Sequence, residues 1–151
     1  MNSDNVEEIQ KDILKDLDIR CDDLSEEFSK QAGKFAHWAF LSERKKAQKD
    51  YAKLRLEVFS AELGKELRIR DSVKQTDKSI ENEIKSNSEW KKLNKEHILL
   101  KYEESILSVA VEAFNQRCQM LISLGAHARS ELEGDIKILK ESVKKKMTSI
   151  L

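Results

Sequence analysis

Residues Trp90–Leu132 read WKKLNKEHILLKYEESILSVAVEAFNQRCQMLISLGAHARSEL, and the spacing within this stretch decides the fold. Leu93, His97, Leu100, Glu104, Leu107, Val111, Phe114, Cys118, Leu121, Gly125, Ala128 and Leu132 follow one another at alternating steps of four and three. Such a period places them on one stripe of a helix, and an apolar stripe leaves water only against a facing helix. A second stripe runs beside it through Ile106, Ala110, Ala113, Arg117, Met120 and Leu124. One stripe closes an antiparallel hairpin, and the other calls for a further partner. Self-association follows from that surplus. Leu107, Val111, Phe114, Met120, Leu121 and Leu124, drawn from both stripes, are the expected oligomer interface.

Upstream, Phe28, Ala32, Phe35 and Ala39 start a similar period, which Ala47, Tyr51, Leu54, Val58 and Ala61 continue to about Ile69. As one helix, the stretch from Leu24 to Ser72 is roughly 70 Å long. Val6, Ile9, Ile13 and Leu17 mark a short first helix, with Asp4 as a plausible cap, and Asp18–Asp23 breaks the pattern. Between the long helices, residues 73–89 are almost entirely polar beyond Val73, Ile80 and Ile84. Thr76 or Asp77 suits a cap for a short helix there, and Ser86-Asn87-Ser88 suits a turn and a fresh cap. After Gly134, the positions Ile136, Leu139, Val143, Met147 and Ile150 share a face, with Lys144-Lys145-Lys146 on the other side. Packing against another helix is the first reading of that tail, ahead of a membrane-surface helix or a nucleic-acid clamp.

The expected fold is therefore all-α: a long antiparallel helical hairpin with coiled-coil-like seams, assembling into a homo-oligomer. It divides into an acidic N-terminal helix (1–22), a hairpin core (23–132) with its connector near 73–89, and an amphipathic C-terminal helix (133–151). Composition agrees. In 151 residues there is no proline and there are only 4 glycines, while 37% are charged and 39% hydrophobic. Long helices burying narrow stripes fit these numbers better than a thick core.

Cys21 and Cys118 form no CxxC pair and no Cys/His cluster, so they read as buried thiols of a reducing compartment. The polar start and the absence of a long apolar run lead to a soluble, cytoplasmic protein without membrane contact. His37, His97 and His127 are too scattered for a metal site, and no GxSxG, P-loop or HExxH motif occurs. Carboxylates sit beside lysines at helix-surface spacings, as solvated ion pairs do. No catalytic residue, metal or cofactor is expected, and no enzyme.

The net charge of zero hides an asymmetry. Residues 1–27 carry ten acids and three bases, or −7, whereas Arg44, Lys45, Lys46, Lys49, Lys53 and Arg55 stand against Asp50 alone, or +5 over residues 44–55. Lys45, Lys49 and Lys53 recur at four-residue steps, giving cations about 6 Å apart that could follow a phosphate backbone. On that placement Ala47, Tyr51 and Leu54 face the seam. Tyr51, Phe59 and Trp38 could stack on bases if exposed, although aromatics at helical spacing are more often core. A solvated helix face explains the charge about as well.

Four features resemble the UvsY-type recombination mediator proteins of T4-like bacteriophages: Phe35-Ala36-His37-Trp38, the basic run after it, Ala52-Lys53-Leu54-Arg55-Leu56-Glu57-Val58-Phe59-Ser60, and Glu112-Ala113-Phe114-Asn115-Gln116-Arg117. The third is the most specific, because the family carries a Lys-x-Arg-Leu-acidic pattern followed by an aromatic and a serine. The correspondence covers roughly residues 24–131 in order. It implies small helical subunits that assemble into rings, bind single-stranded DNA, and help load a RecA-like recombinase onto DNA covered by single-strand-binding protein. Lys53 and Arg55 match the family's DNA-binding motif, and Lys49, Lys46, Lys45 and Arg44 would extend it. Two departures stand out. Ala61-Glu62-Leu63-Gly64 continues with a helical look where the family has a glycine-containing loop, and the tail from Gly134 extends beyond the family pattern. A structural coiled-coil scaffold without DNA binding, and a helical DNA-end-binding nuclease inhibitor, are the competing readings.

Overall fold

The computed structural model describes residues 3–70 and 76–148, with side chains for 6–70 and 76–143. Every element in it is helical: α1 (Ser3–Leu17), α2 (Leu24–Arg70), α3 (Asp77–Ser86) and α4 (Ser88–Thr148). The cap expected at Asp4, the apolar positions Val73, Met147 and Ile150, and the Lys144–Lys146 side chains lie outside the described residues or side chains. No helix among the described residues is long and apolar enough to cross a membrane.

Local chemistry sets the boundaries. Asp23 accepts a hydrogen bond from the backbone N–H of Glu26 at 3.0 Å, a capping arrangement that opens α2. Thr76 caps α3 by accepting from the N–H of Ser79. Asn87 ends α3 and opens α4, its side-chain oxygen accepting from the N–H groups of Glu89 at 2.8 Å and Trp90 at 3.3 Å. The connector near 73–89 thus holds the short helix its caps announce. At the other end the expected boundary near residue 133 does not exist. α4 runs unbroken through Gly134, because a single glycine costs a helix only about 1 kcal/mol and no proline follows.

α2 and α4 are antiparallel, as their cross-links show: Gln31 to Phe114, Lys45 to Glu103, Arg55 to Glu96 and Ser60 to Trp90. Phe114 and Leu121 are fully enclosed, and Leu107, Ala110 and Trp38 are buried around Phe114, with the rings of Trp38 and Phe114 stacked at 6.3 Å. Three residues expected at an oligomer interface, Leu107, Phe114 and Leu121, therefore lie in the subunit's own core. Val111 and Leu124 are half-buried, and Met120 is exposed.

The second stripe of α4 also finds a partner within the chain. α1 lays Ile9, Ile13 and Leu17 against the cluster formed by Trp38, Leu107, Ala110 and Phe114, with Ile106 alongside. Its C-terminal carbonyls, orphaned by the end of the helix, accept from the Arg117 guanidinium at Leu17 (3.2 Å) and Asp18 (3.0 Å). Arg117 also donates to Gln31 and Glu27 and is itself buried, while Gln31 donates to the Phe114 carbonyl at 2.8 Å. Burial pushes the Glu27 carboxyl up, but hydrogen bonds from Arg20 and Arg117 and the nearby Lys34 outweigh it and hold the group below its ordinary value. The inference of surplus apolar surface from residues 106–117 is accordingly corrected: α1 covers that stretch.

The cysteine reading is corrected as well. Both thiols are free, with Cys118 half-buried, but Cys21 is exposed in the α1–α2 link, where no helix packs over it.

Candidate nucleic-acid interface

The seam of α2 is not the one its apolar period suggests. Glu27, Gln31, Trp38, Ala52, Gly64 and Leu67 are its buried residues, whereas Ala32, Ala47, Tyr51, Leu54, Val58 and Ala61 are exposed. The buried set includes 31, 38 and 52, on a different stripe of the helix from the apolar positions. The physical reason lies on α4. Glu103 and Glu104 stand opposite Lys45 and Lys49, so two lysines can occupy the seam as ion-paired residues and apolar side chains can be left outside.

This choice of stripe divides the basic run. Lys45 Nζ lies 2.6 Å from a buried Glu103 oxygen, off the direction of a good hydrogen bond, so charge rather than hydrogen bonding holds the pair. Lys49 donates to Glu104 at 3.4 Å and lies 3.8 Å from Asp50. Both lysines are largely covered and belong to the hairpin's own seam, not to the open row expected of them. Lys46, Lys53 and Arg55 are different. Lys46 meets Glu43 at 3.8 Å, Lys53 meets Glu57 at 3.7 Å, and Arg55 donates to Glu96 at 3.2 Å, all at the surface. Arg44 is exposed too. Surface pairs of this kind are worth about 0–1 kcal/mol each, so a phosphate can replace the carboxylate at small cost.

The three aromatic candidates also separate. Trp38 is buried, with its indole N–H donating to Asp16 at 3.1 Å, and Phe59 is half-buried. Tyr51 is 64% exposed. It sits at the head of a shallow groove of about 430 Å³, continued by Leu54, Arg55, Val58 and Phe59 on α2 and closed by Glu89 and Leu93 of α4. A ring free to stack and an arginine one turn along the same wall are thus brought together, whereas Lys53, two residues on from Tyr51, points to the other flank of α2.

Two carboxylates, Glu27 and Glu103, are buried, which the sequence reading of uniformly solvated acids misses. Glu103 carried an indirect signal, standing three residues after Leu100 and four before Leu107 on the apolar stripe, whereas Glu27 carried none. Among the described residues no His, Cys, Asp and Glu side chains cluster closely enough to hold a metal ion. Compared with known families, characterised proteins and solved structures, the chain matches none.

Proposed function

We propose that this chain is the subunit of a homo-oligomer, as a ring, that binds single-stranded DNA and assists the loading of a RecA-like recombinase onto DNA covered by single-strand-binding protein. The resemblance of the segment Ala52–Ser60 to the mediator motif supports the biological role. The observation that carries the binding mode is the exposure of Tyr51 one helical turn from Arg55, on the same wall of the groove. Cations track a phosphate backbone without regard to sequence, and an exposed ring adds stacking that only an unpaired base can accept. The DNA-contacting set is Tyr51, Arg55 and Arg44 on one flank of α2, extended by Lys53 and Lys46 on the other flank, with Lys45 and Lys49 left between them to hold the hairpin.

A mediator must also let go. Weak contacts on one subunit, repeated around an assembly, give avidity that can be surrendered one site at a time. No bond-making step belongs to this role. The test is the salt dependence of binding to a labelled single-stranded oligonucleotide. Native protein binds with an affinity that falls steeply as salt rises, and the Lys53→Ala/Arg55→Ala double variant loses most of it. Equal binding by the double variant sinks the assignment.

One observation favours a second reading. Because Lys45, Lys49 and Arg55 already face carboxylates of α4, the basic run also serves as the cross-linking of a scaffold. A scaffold assembles without binding the oligonucleotide even at low salt.

A further inference from the structure

Beyond Ala128 every described side chain of α4 is exposed, and a Cβ added at Gly134 would meet nothing within 4 Å. Phe28, near the start of α2, packs at Gly125, so the hairpin ends there and the last 20 residues of α4, about 30 Å, project past it. Leu132, Ile136, Leu139 and Val143 form the apolar face of this projection and are 49–63% exposed. No other described element covers that face, because α4 is one unbroken helix that runs past the start of α2. A helix draws most of its stability from packing an amphipathic face, so the projection calls for a partner.

The residue types say which partner. With Leu132 and Leu139 at d, Ile136 and Val143 fall at a, and β-branched a with leucine d is the combination that favours two parallel strands. In that register Asp135 is a g position and Lys140 the e position five residues on, so each Asp135 faces Lys140 of the second strand. Gly134 falls at the outward f position, where no side chain is needed. We infer that residues 132–143 form a parallel two-stranded coiled coil with the same segment of a second copy of this chain. It joins subunits through their tails and stands whether or not the chain binds DNA.

Full-length protein tests this by light scattering and by cross-linking. Leu132→Asp/Leu139→Asp lies outside the packed hairpin, so the hairpin around the buried Trp38 is expected to stay folded, with helix lost only from the projection, while association weakens by tenfold or more, on the order expected when charges enter a seam. Asp135→Lys puts like charges opposite and weakens association several-fold, and Asp135→Lys/Lys140→Asp restores it. Val143→Cys forms a disulfide between equivalent positions on oxidation, because a positions meet in a parallel pair. An unchanged mass for the double leucine variant, or a native chain that is monomeric at micromolar concentration, overturns the proposal. So does weakening by Glu133→Lys instead of Asp135→Lys, without the 143–143 disulfide, since that pattern marks antiparallel strands.

Discussion

The Arg117 guanidinium is buried against the Glu27 carboxylate, 90 residues away in sequence, and the same guanidinium closes the C-terminal end of α1 through the Leu17 and Asp18 carbonyls. One side chain therefore ties three helices together. Breaking such a pair from one side leaves a desolvated charge, which typically costs about 3–5 kcal/mol. Arg117→Met is expected to destabilise the chain by that amount and to free α1 from the hairpin. Urea unfolding monitored by fluorescence of the buried Trp38, which Asp16 of α1 also contacts, measures both effects.

The same pair makes stability depend on pH. Glu27 is held below the ordinary glutamate value in the folded chain, so the folded state binds fewer protons than the unfolded one. Its contribution is fully present above the unfolded value of about 4.3 and is lost as pH falls through the lower folded value. Unfolding free energy should decline in that acidic window. Glu27→Gln should be less stable at neutral pH yet show a shallower decline on acidification, and parallel pH profiles for the two proteins would contradict this.

Cations of the basic run should separate into two behaviours. Lys45→Met leaves Glu103 buried and unpaired, so it is expected to lower stability by about 3 kcal/mol or more. Lys53→Ala should change stability by less than about 0.5 kcal/mol and reduce the salt slope of oligonucleotide binding by about one phosphate contact. Tyr51→Ala should cost on the order of 1–3 kcal/mol in affinity for single strands and little for duplex. Thermal melts and binding titrations on the same preparations decide the matter.

Glycine substitutions probe the helix surfaces. At Gly33 and Gly134 an added Cβ meets nothing within 4 Å, so alanine at either should stabilise by about 0.5–1 kcal/mol. At Gly125 the Cβ would lie 3.0 Å from the Phe28 ring. That ring is half outside the core and can shift, so Gly125→Ala should yield little or no gain. A gain at Gly125 equal to that at Gly33 would show that Phe28 does not pack there.

The all-helical class, the extents of α1 and α2, the Thr76 cap and the break between α3 and α4 at Asn87 were legible because they depend on neighbours three or four residues apart. Propensity, capping and apolar period act over such distances, and the chain states them directly. Which face of α2 turns inward was not legible. That choice depends on Glu103 and Glu104 standing opposite Lys45 and Lys49, across more than 50 residues, and no local period records such a match. Nor could spacing show that α1 would cover residues 106–117, since a short amphipathic helix fits any stripe of suitable width. Only packing in three dimensions, where each buried charge must find its partner, placed Arg117 in the core and left Tyr51 at the surface.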